Sequence, residues 1–246
     1  MLRIRSLVFD FLMYSTMLVH GVLLSPLAIW SVDGAYWVAK AYCRIVFWYL
    51  KVICNLHVEF RGEVPKGEVI VCSKHMSFLD AMMLMYILPR AKFIMKRELI
   101  FAPVVGFYAL RVGATPIARN KKGGAVKSMV KSIEKGHEKE IGQTVIYPQG
   151  TRVLPGVTKP YRVGAAVLYD RFGQDCAPAA TNTGVFWARR SPYRKPGVAV
   201  MEFLPIIPAG KPLKEFLVEL EDVVESNSNR LMEEAGFVFE DEPTKS

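Results

Sequence analysis

Val69-Ile-Val-Cys-Ser-Lys-His-Met-Ser-Phe-Leu-Asp80 is the stretch on which the reading of this chain turns. Its first part, Val69 to Cys72, is a short apolar run bounded upstream by Pro65 and Gly67, and it reads as a buried strand. Lys74 and His75 follow at once. Ser77-Phe-Leu-Asp80 then fits a helix N-cap with an acid three residues on. In an open α/β sheet, ligands sit beyond the carboxyl ends of the strands, which is where His75 would stand. The spacing is H-x4-D. Along one continuous helix the two side chains would diverge by roughly 140°, so they meet only if His75 lies in the turn and Asp80 in the first helical turn. A carboxylate holding one imidazole nitrogen then leaves the other for a substrate proton. The same residues also fit a plainer reading, in which Asp80 caps a helix and His75 is a polar loop residue.

Working outward, the chain after residue 57 alternates strand and helix patterns. His57 to Phe60 alternates like a strand, and Ala81 to Leu88 is an apolar helix stopped by Pro89. Met82, Met83 and Met85 on that helix suit either a core or the wall of a greasy channel. Ala91–Met95, Thr144–Tyr147, Cys176–Ala180 and Val198–Leu204 read as further strands, and Gly164–Tyr169 as a helix. Lys211 to Gly236 is amphipathic: Leu213, Phe216, Leu217, Leu220, Val223 and Val224 keep helical spacing, and its acids are expected to face away. The expected architecture is α/β, a mostly parallel central sheet with helices on both faces.

Charge is unevenly placed. Residues 90–171 hold 16 Lys/Arg against 5 Asp/Glu, more than the whole chain's net of +9. An anionic membrane surface, an acidic substrate or nucleic acid could each match that excess. Lys127, Lys131 and Lys135 recur every four residues, either as a solvated helix face or as a dock for an anionic partner. Nucleic acid is the poorest match, because no recognised module is present and aromatics do not interleave the basic run. Cys43, Cys54, Cys72 and Cys176 form no CxxC pair, which points to reduced, buried thiols in a cytosolic compartment.

The N-terminus points to a membrane. Residues 11–32 contain no Asp, Glu, Lys or Arg, and such a run is long enough to cross a bilayer. Ser15, Thr16, His20, Gly21, Ser25 and Pro26 dilute it, and Asp10 stands at its entrance. After a break expected at Asp33-Gly34, a second helix carries Lys40, Arg44 and Lys51 on one face beside Trp37, Trp48 and Tyr49, a mix suited to lipid headgroups. Residues 1–56 therefore read as a two-helix hairpin that dips into, or lies on, one leaflet, with a single span followed by an interfacial helix as the alternative, and residues 57–246 as the α/β domain. Arg3 and Arg5 favour a cytoplasmic N-terminus, placing the α/β domain on the inner, cytoplasmic face of the membrane.

Three strand-end segments carry chemistry: Lys74 to Asp80, Gly113-Ala-Thr-Pro-Ile-Ala-Arg119, and Tyr147-Pro-Gln-Gly-Thr-Arg152. Gly150 lets backbone approach a ligand, Thr151 offers a hydroxyl, and Arg152 and Arg119 offer forks suited to phosphate. In this order and spacing the segments resemble the glycerolipid acyltransferase family, most of all the 1-acyl-glycerol-3-phosphate acyltransferases, over residues 58–208. The resemblance implies that His75 is a general base oriented by Asp80, and that Lys96, in Lys96-Arg-Glu-Leu99, lies near the acyl-transfer centre. It also implies that Arg119, Gln149, Gly150, Thr151 and Arg152 bind the acceptor. The implied reaction moves a fatty acyl group from an acyl-coenzyme A or acyl carrier protein thioester to the free hydroxyl of 1-acyl-glycerol-3-phosphate, giving phosphatidic acid. No metal or cofactor is called for, and the partners are membrane lipids, a lyso-lipid acceptor and the thioester donor. Donors facing the developing oxyanion are Lys96 or the backbone N–H groups near Ser77. Position 149 departs from the family's Pro-Glu-Gly-Thr-Arg by carrying Gln, and Ala177-Pro-Ala-Ala180 only loosely matches its fourth motif. Gln149 keeps two other readings open: acylation of a lyso-lipid without phosphate, such as lyso-ornithine lipid, or a non-catalytic membrane protein that binds anionic lipid.

Overall fold

The apolar run before His75 becomes β2 (Ile70–Ser73), at the middle of a seven-stranded sheet among the described residues. The computed structural model describes residues 1–118, 130 and 142–239. Arg119 and the stripe of Lys127, Lys131 and Lys135 therefore lie outside the described residues. β2 pairs in parallel with β5 (Gln143–Ile146) on one side and β6 (Cys176–Thr181) on the other. Beyond β5 come β3 (Ala91–Lys96) and β4 (Thr115–Ile117), both parallel. Beyond β6 come β7 (Gly197–Phe203) and β1 (Leu56–Arg61). β6 and β7 pair antiparallel, while the other pairings among these strands are parallel. β4 is not among the expected strands; the others differ from expectation only at their ends.

Every residue of β2, β5 and β6 is buried, as a parallel sheet covered on both faces requires. Alternation sorts them: Val69 and Val71 join one core, while Ile70 and Cys72 join another behind the sheet. The first core is covered by α4 (Leu79–Ile87) and by the N-terminal helices. The second is covered by α6 (Gly164–Phe172) and by α8 (Leu213–Glu234) through Phe216, Leu220 and Val224. Not all acids of α8 face away. Glu225 is buried on the inner side, where helical spacing alone places only apolar residues.

The N-terminal segment is two long helices, α1 (Leu2–Leu23) and α3 (Val32–Cys54), with a short α2 (Ser25–Trp30) at the bend. The bend is not at Asp33-Gly34. Ser31 caps α3 by accepting from the Gly34 N–H at 2.8 Å, and the first turn takes a glycine at position 34 because a Cβ there would lie 2.3 Å from the Leu27 carbonyl oxygen. α1 buries Phe9 and Met13 in the core shared with the sheet, yet exposes Phe11, Tyr14, Leu18 and Leu23. It is long and apolar enough to cross a membrane by length and composition.

The hairpin is pinned to the α/β part along its whole length. Asp10 pairs with Arg194 at 2.5 Å, the Tyr108 hydroxyl donates to the Gly21 carbonyl at 2.9 Å, and Arg111 donates to the Ala28 carbonyl at 2.6 Å. At the bend, Asp33 pairs with Arg90. Lys40 does not reach out with Arg44 and Lys51. Its ammonium donates to the Leu88 and Pro89 carbonyls and satisfies the C-terminal end of α4.

Candidate active site

His75 leaves the carboxyl end of β2 and Asp80 opens α4, so the turn between them folds the pair together. Nδ1 of His75 is 2.8 Å from Oδ1 of Asp80. The other oxygen of Asp80 accepts from the Met76 N–H at 2.8 Å and the Ser77 N–H at 2.7 Å, and the acid is fully buried. Ser77 in turn accepts from the Leu79 N–H at 3.1 Å, which closes the cap around the start of α4. Three donors converge on one carboxylate and hold it fixed. A carboxylate only accepts, so Nδ1 carries the proton and Nε2 is left with its lone pair. Tyr147, at the end of β5, stacks on the imidazole at 3.9 Å between ring centroids and 16° between planes. Its buried hydroxyl lies near Asp80 without a well-formed hydrogen bond. Burial and that carboxylate push the phenol well above its usual range and keep it protonated. Because the Met76 and Ser77 N–H groups are spent on Asp80, they are not free to face an oxyanion.

The segment from Pro148 to Val153 wraps the backbone of His75. Gln149 accepts from the His75 N–H at 3.1 Å, and the Val153 N–H donates to the His75 carbonyl at 2.8 Å. Gly150 makes the turn possible. Its φ of +69° is left-handed, and a Cβ there would lie 2.9 Å from Nε of Arg162. Thr151 is partly exposed and Arg152 exposed, and both line the cavity into which His75 opens. Lys96 lines the same cavity from the end of β3, half exposed and 3.2 Å from Glu98.

Gln149 is placed otherwise than its expected acceptor contact requires. It is fully buried, and its amide nitrogen donates to Oε1 of Glu225 at 2.8 Å. The other Glu225 oxygen lies 2.6 Å from the ammonium of Lys74, itself 1% exposed. The Tyr161 hydroxyl also donates to Glu225, at 3.0 Å; burial and that carboxylate raise the phenol's pKa and keep it a donor. Leaving one partner of such a buried pair alone typically costs roughly 3–5 kcal/mol.

The cavity has a volume of about 680 Å³. Its charged and polar lining includes His75, Lys96, Thr151, Arg152 and Arg189, with His20, Tyr42, Tyr108 and Tyr147; most of the rest is apolar, from Met82 and Met85 of α4, Val104, Val105 and Ala109 of α5 (Pro103–Arg111), and Met17, Gly21 and Val38 of the hairpin. Met82 and Met85 thus face the channel, whereas Met83 is fully buried in the core. Arg189 and Glu225 escaped the sequence reading. Arg189 follows the short α7 (Thr183–Phe186) after β6 and donates to the Arg152 carbonyl at 3.4 Å. Its position just past a strand end was the available signal, the same rule that singles out His75 and Arg152.

A buried acid paired with an imidazole at a strand end, opening into a mostly apolar cavity rimmed by cations, is an arrangement in an α/β fold that can take up a proton beside an apolar ligand. The sequence model described as Acyltransferase matches residues 55–182. The chain is 25% identical over 199 residues to the 1-acyl-sn-glycerol-3-phosphate acyltransferase of Pseudomonas aeruginosa, covering 79% of this chain and 77% of that protein. It is 31% identical over 134 residues to the human 1-acyl-sn-glycerol-3-phosphate acyltransferase alpha, covering 50% of this chain but only 44% of that protein. The crystal structure of the 1-acyl-sn-glycerophosphate acyltransferase PlsC from Thermotoga maritima superposes with a TM-score of 0.74 at 17% identity, over 94% of this chain and 99% of that one, and so shares the fold. The chain belongs to this acyltransferase family and is an O-acyltransferase.

Proposed function

We propose that this enzyme transfers a fatty acyl group from a thioester to the free hydroxyl of 1-acyl-glycerol-3-phosphate. The observation that carries the reading is the His75–Asp80 pair opening into a cavity lined by both apolar side chains and the Arg152–Arg189 cluster. Nε2 of His75 takes the hydroxyl proton as the oxygen attacks the thioester carbonyl. The carbon–oxygen bond forms, the carbon–sulfur bond breaks, and the departing thiolate takes the proton back from His75. Asp80 holds the imidazole and stabilises its protonated form. Lys96 is the side-chain candidate to face the oxyanion, since the Met76 and Ser77 N–H groups are used by Asp80. Arg152, Thr151 and Arg189 would hold the phosphate, with Arg119 as a further candidate, and the apolar lining would hold a fatty chain. The thioester is carried by coenzyme A or acyl carrier protein.

Gln149 gives no reason to prefer an acceptor without phosphate, because its side chain is engaged with His75 and Glu225. The exposed apolar face of α1 is read as lying in one leaflet, on the cytoplasmic side. Purified protein in detergent, given a labelled acyl thioester and a panel of lyso-lipids, tests the reading. Turnover of 1-acyl-glycerol-3-phosphate above the others is expected; turnover of lyso-ornithine lipid alone, or of none, would overturn it.

A further inference from the structure

We propose that Glu225, on the last described helix, is a positioning residue for His75, acting through Gln149, and that Gln149 and Glu225 form a matched amide–carboxylate pair. The inference rests on His75 being the base named above.

The hydrogen-bond inventory admits one assignment. The His75 N–H can only donate, so the atom of Gln149 at 3.1 Å is its oxygen. The Glu225 carboxylate can only accept, so the atom facing it at 2.8 Å is the Gln149 nitrogen. Glu225 thereby collects three donors: Gln149, Tyr161 at 3.0 Å and Lys74 at 2.6 Å. Lys74 and His75 are adjacent, so the same carboxylate holds the chain on both sides of the peptide that joins them. From the other side the Val153 N–H grips the His75 carbonyl at 2.8 Å. His75 is therefore held at three points: its ring by Asp80, its N–H by Gln149, and its carbonyl by the loop that carries Arg152.

Charge counting explains why position 149 is an amide here. Lys74 and Glu225 cancel, and the amide between Glu225 and His75 adds nothing. A carboxylate at position 149 would put two acid oxygens across a 2.8 Å contact, and one of the acids would have to take up a proton or move. A single carboxylate is needed in this nest, and this chain supplies it from α8.

The test is a charge-swap cycle. Gln149→Glu and Glu225→Gln are each expected to lower kcat by about tenfold or more, as displacement of a catalytic group does, with acceptor KM little changed. The double variant Gln149→Glu/Glu225→Gln restores one carboxylate facing one amide. The carboxylate now at position 149 would again accept from the His75 N–H, and the amide now at position 225 could donate to it and accept from Lys74. The double variant should recover most of the lost kcat. The rate at which diethyl pyrocarbonate modifies His75, read by mass spectrometry, reports the setting of the ring without any substrate; it should shift severalfold in each single variant and return in the double. A merely structural role would lower the folded fraction but leave both readouts unchanged per folded molecule, and that overturns the proposal. So does a double variant no better than the worse single one. If the single variants fail to fold, Tyr161→Phe removes one donor and keeps the ring; unchanged kcat and His75 reactivity in that variant would also overturn it. A wild-type protein that acylates nothing, while His75 reactivity follows the cycle, would sink the proposed reaction and leave this inference standing.

Discussion

Asp80 holds His75 through Oδ1 and Nδ1 at 2.8 Å, and the same acid is the cap for the two peptides that follow the histidine. Orientation of the base and closure of the turn are therefore one arrangement. His75→Ala should lower acyl transfer by about 10²–10⁴-fold while the melting temperature stays close to that of the parent, because the ring is partly exposed at a strand end. Steady-state rates and a thermal melt decide it, and an active His75→Ala protein would sink the mechanism.

Asp80→Asn should damage both activity and stability. An amide cannot accept from three donors, and its NH₂ would meet either the imidazole N–H or the two peptide N–H groups. The expected loss of stability is about 1–3 kcal/mol, the cost of a buried donor left without a partner. Denaturant unfolding beside the rate assay separates the two effects. Unchanged stability would show that the cap is dispensable.

Arg152 and Arg189 share a wall of the cavity and are joined through the Arg152 carbonyl. Arg152→Ala and Arg189→Ala should each raise the acceptor KM by roughly tenfold with little change for the thioester. Equal effects on both substrates, or none on the acceptor, would remove these residues from the phosphate site.

Ala109 lines the apolar part of the cavity. Ala109→Phe should fill part of it and shift the preferred donor towards shorter acyl chains, with short-chain turnover retained. Rates across a series of acyl thioesters test this. A uniform loss at every length would mean that the space is not where the chain lies.

Asp33 pairs with Arg90, and Arg111 reaches the Ala28 carbonyl, so the bend of the hairpin rests on the α/β part. A bend held there is not expected to emerge beyond the far leaflet. With the four buried cysteines replaced, a cysteine at Trp30, which is 91% exposed, should react with an impermeant thiol reagent only from the side of the α/β domain, or not at all. Labelling from the opposite side would mean a true span.

Much of this protein was legible in one dimension, for a local reason. The strands at residues 70, 143 and 176 declare themselves by short, mostly apolar runs, since a parallel sheet covered on both faces favours them. His75 and Asp80 were legible as a pair because their separation is closed by a single turn whose geometry follows from backbone and cap chemistry. What escaped was set by partners far away in the chain. Helical spacing marks the inner face of α8, but Glu225 is buried only because Lys74, 151 residues earlier, needs a counter-charge there. Gln149 reads as a residue for the acceptor until its two ends prove to be taken by the His75 N–H and Glu225. Arg189 joins Arg152 only once β2 sets β6 and β5 on its two sides and so brings the turns that follow those strands to one end of the sheet. Periodicity and capping fix the course of the backbone from neighbouring residues. The partner of a buried polar group is chosen by whatever the fold sets opposite it, and only the tertiary structure contains that choice.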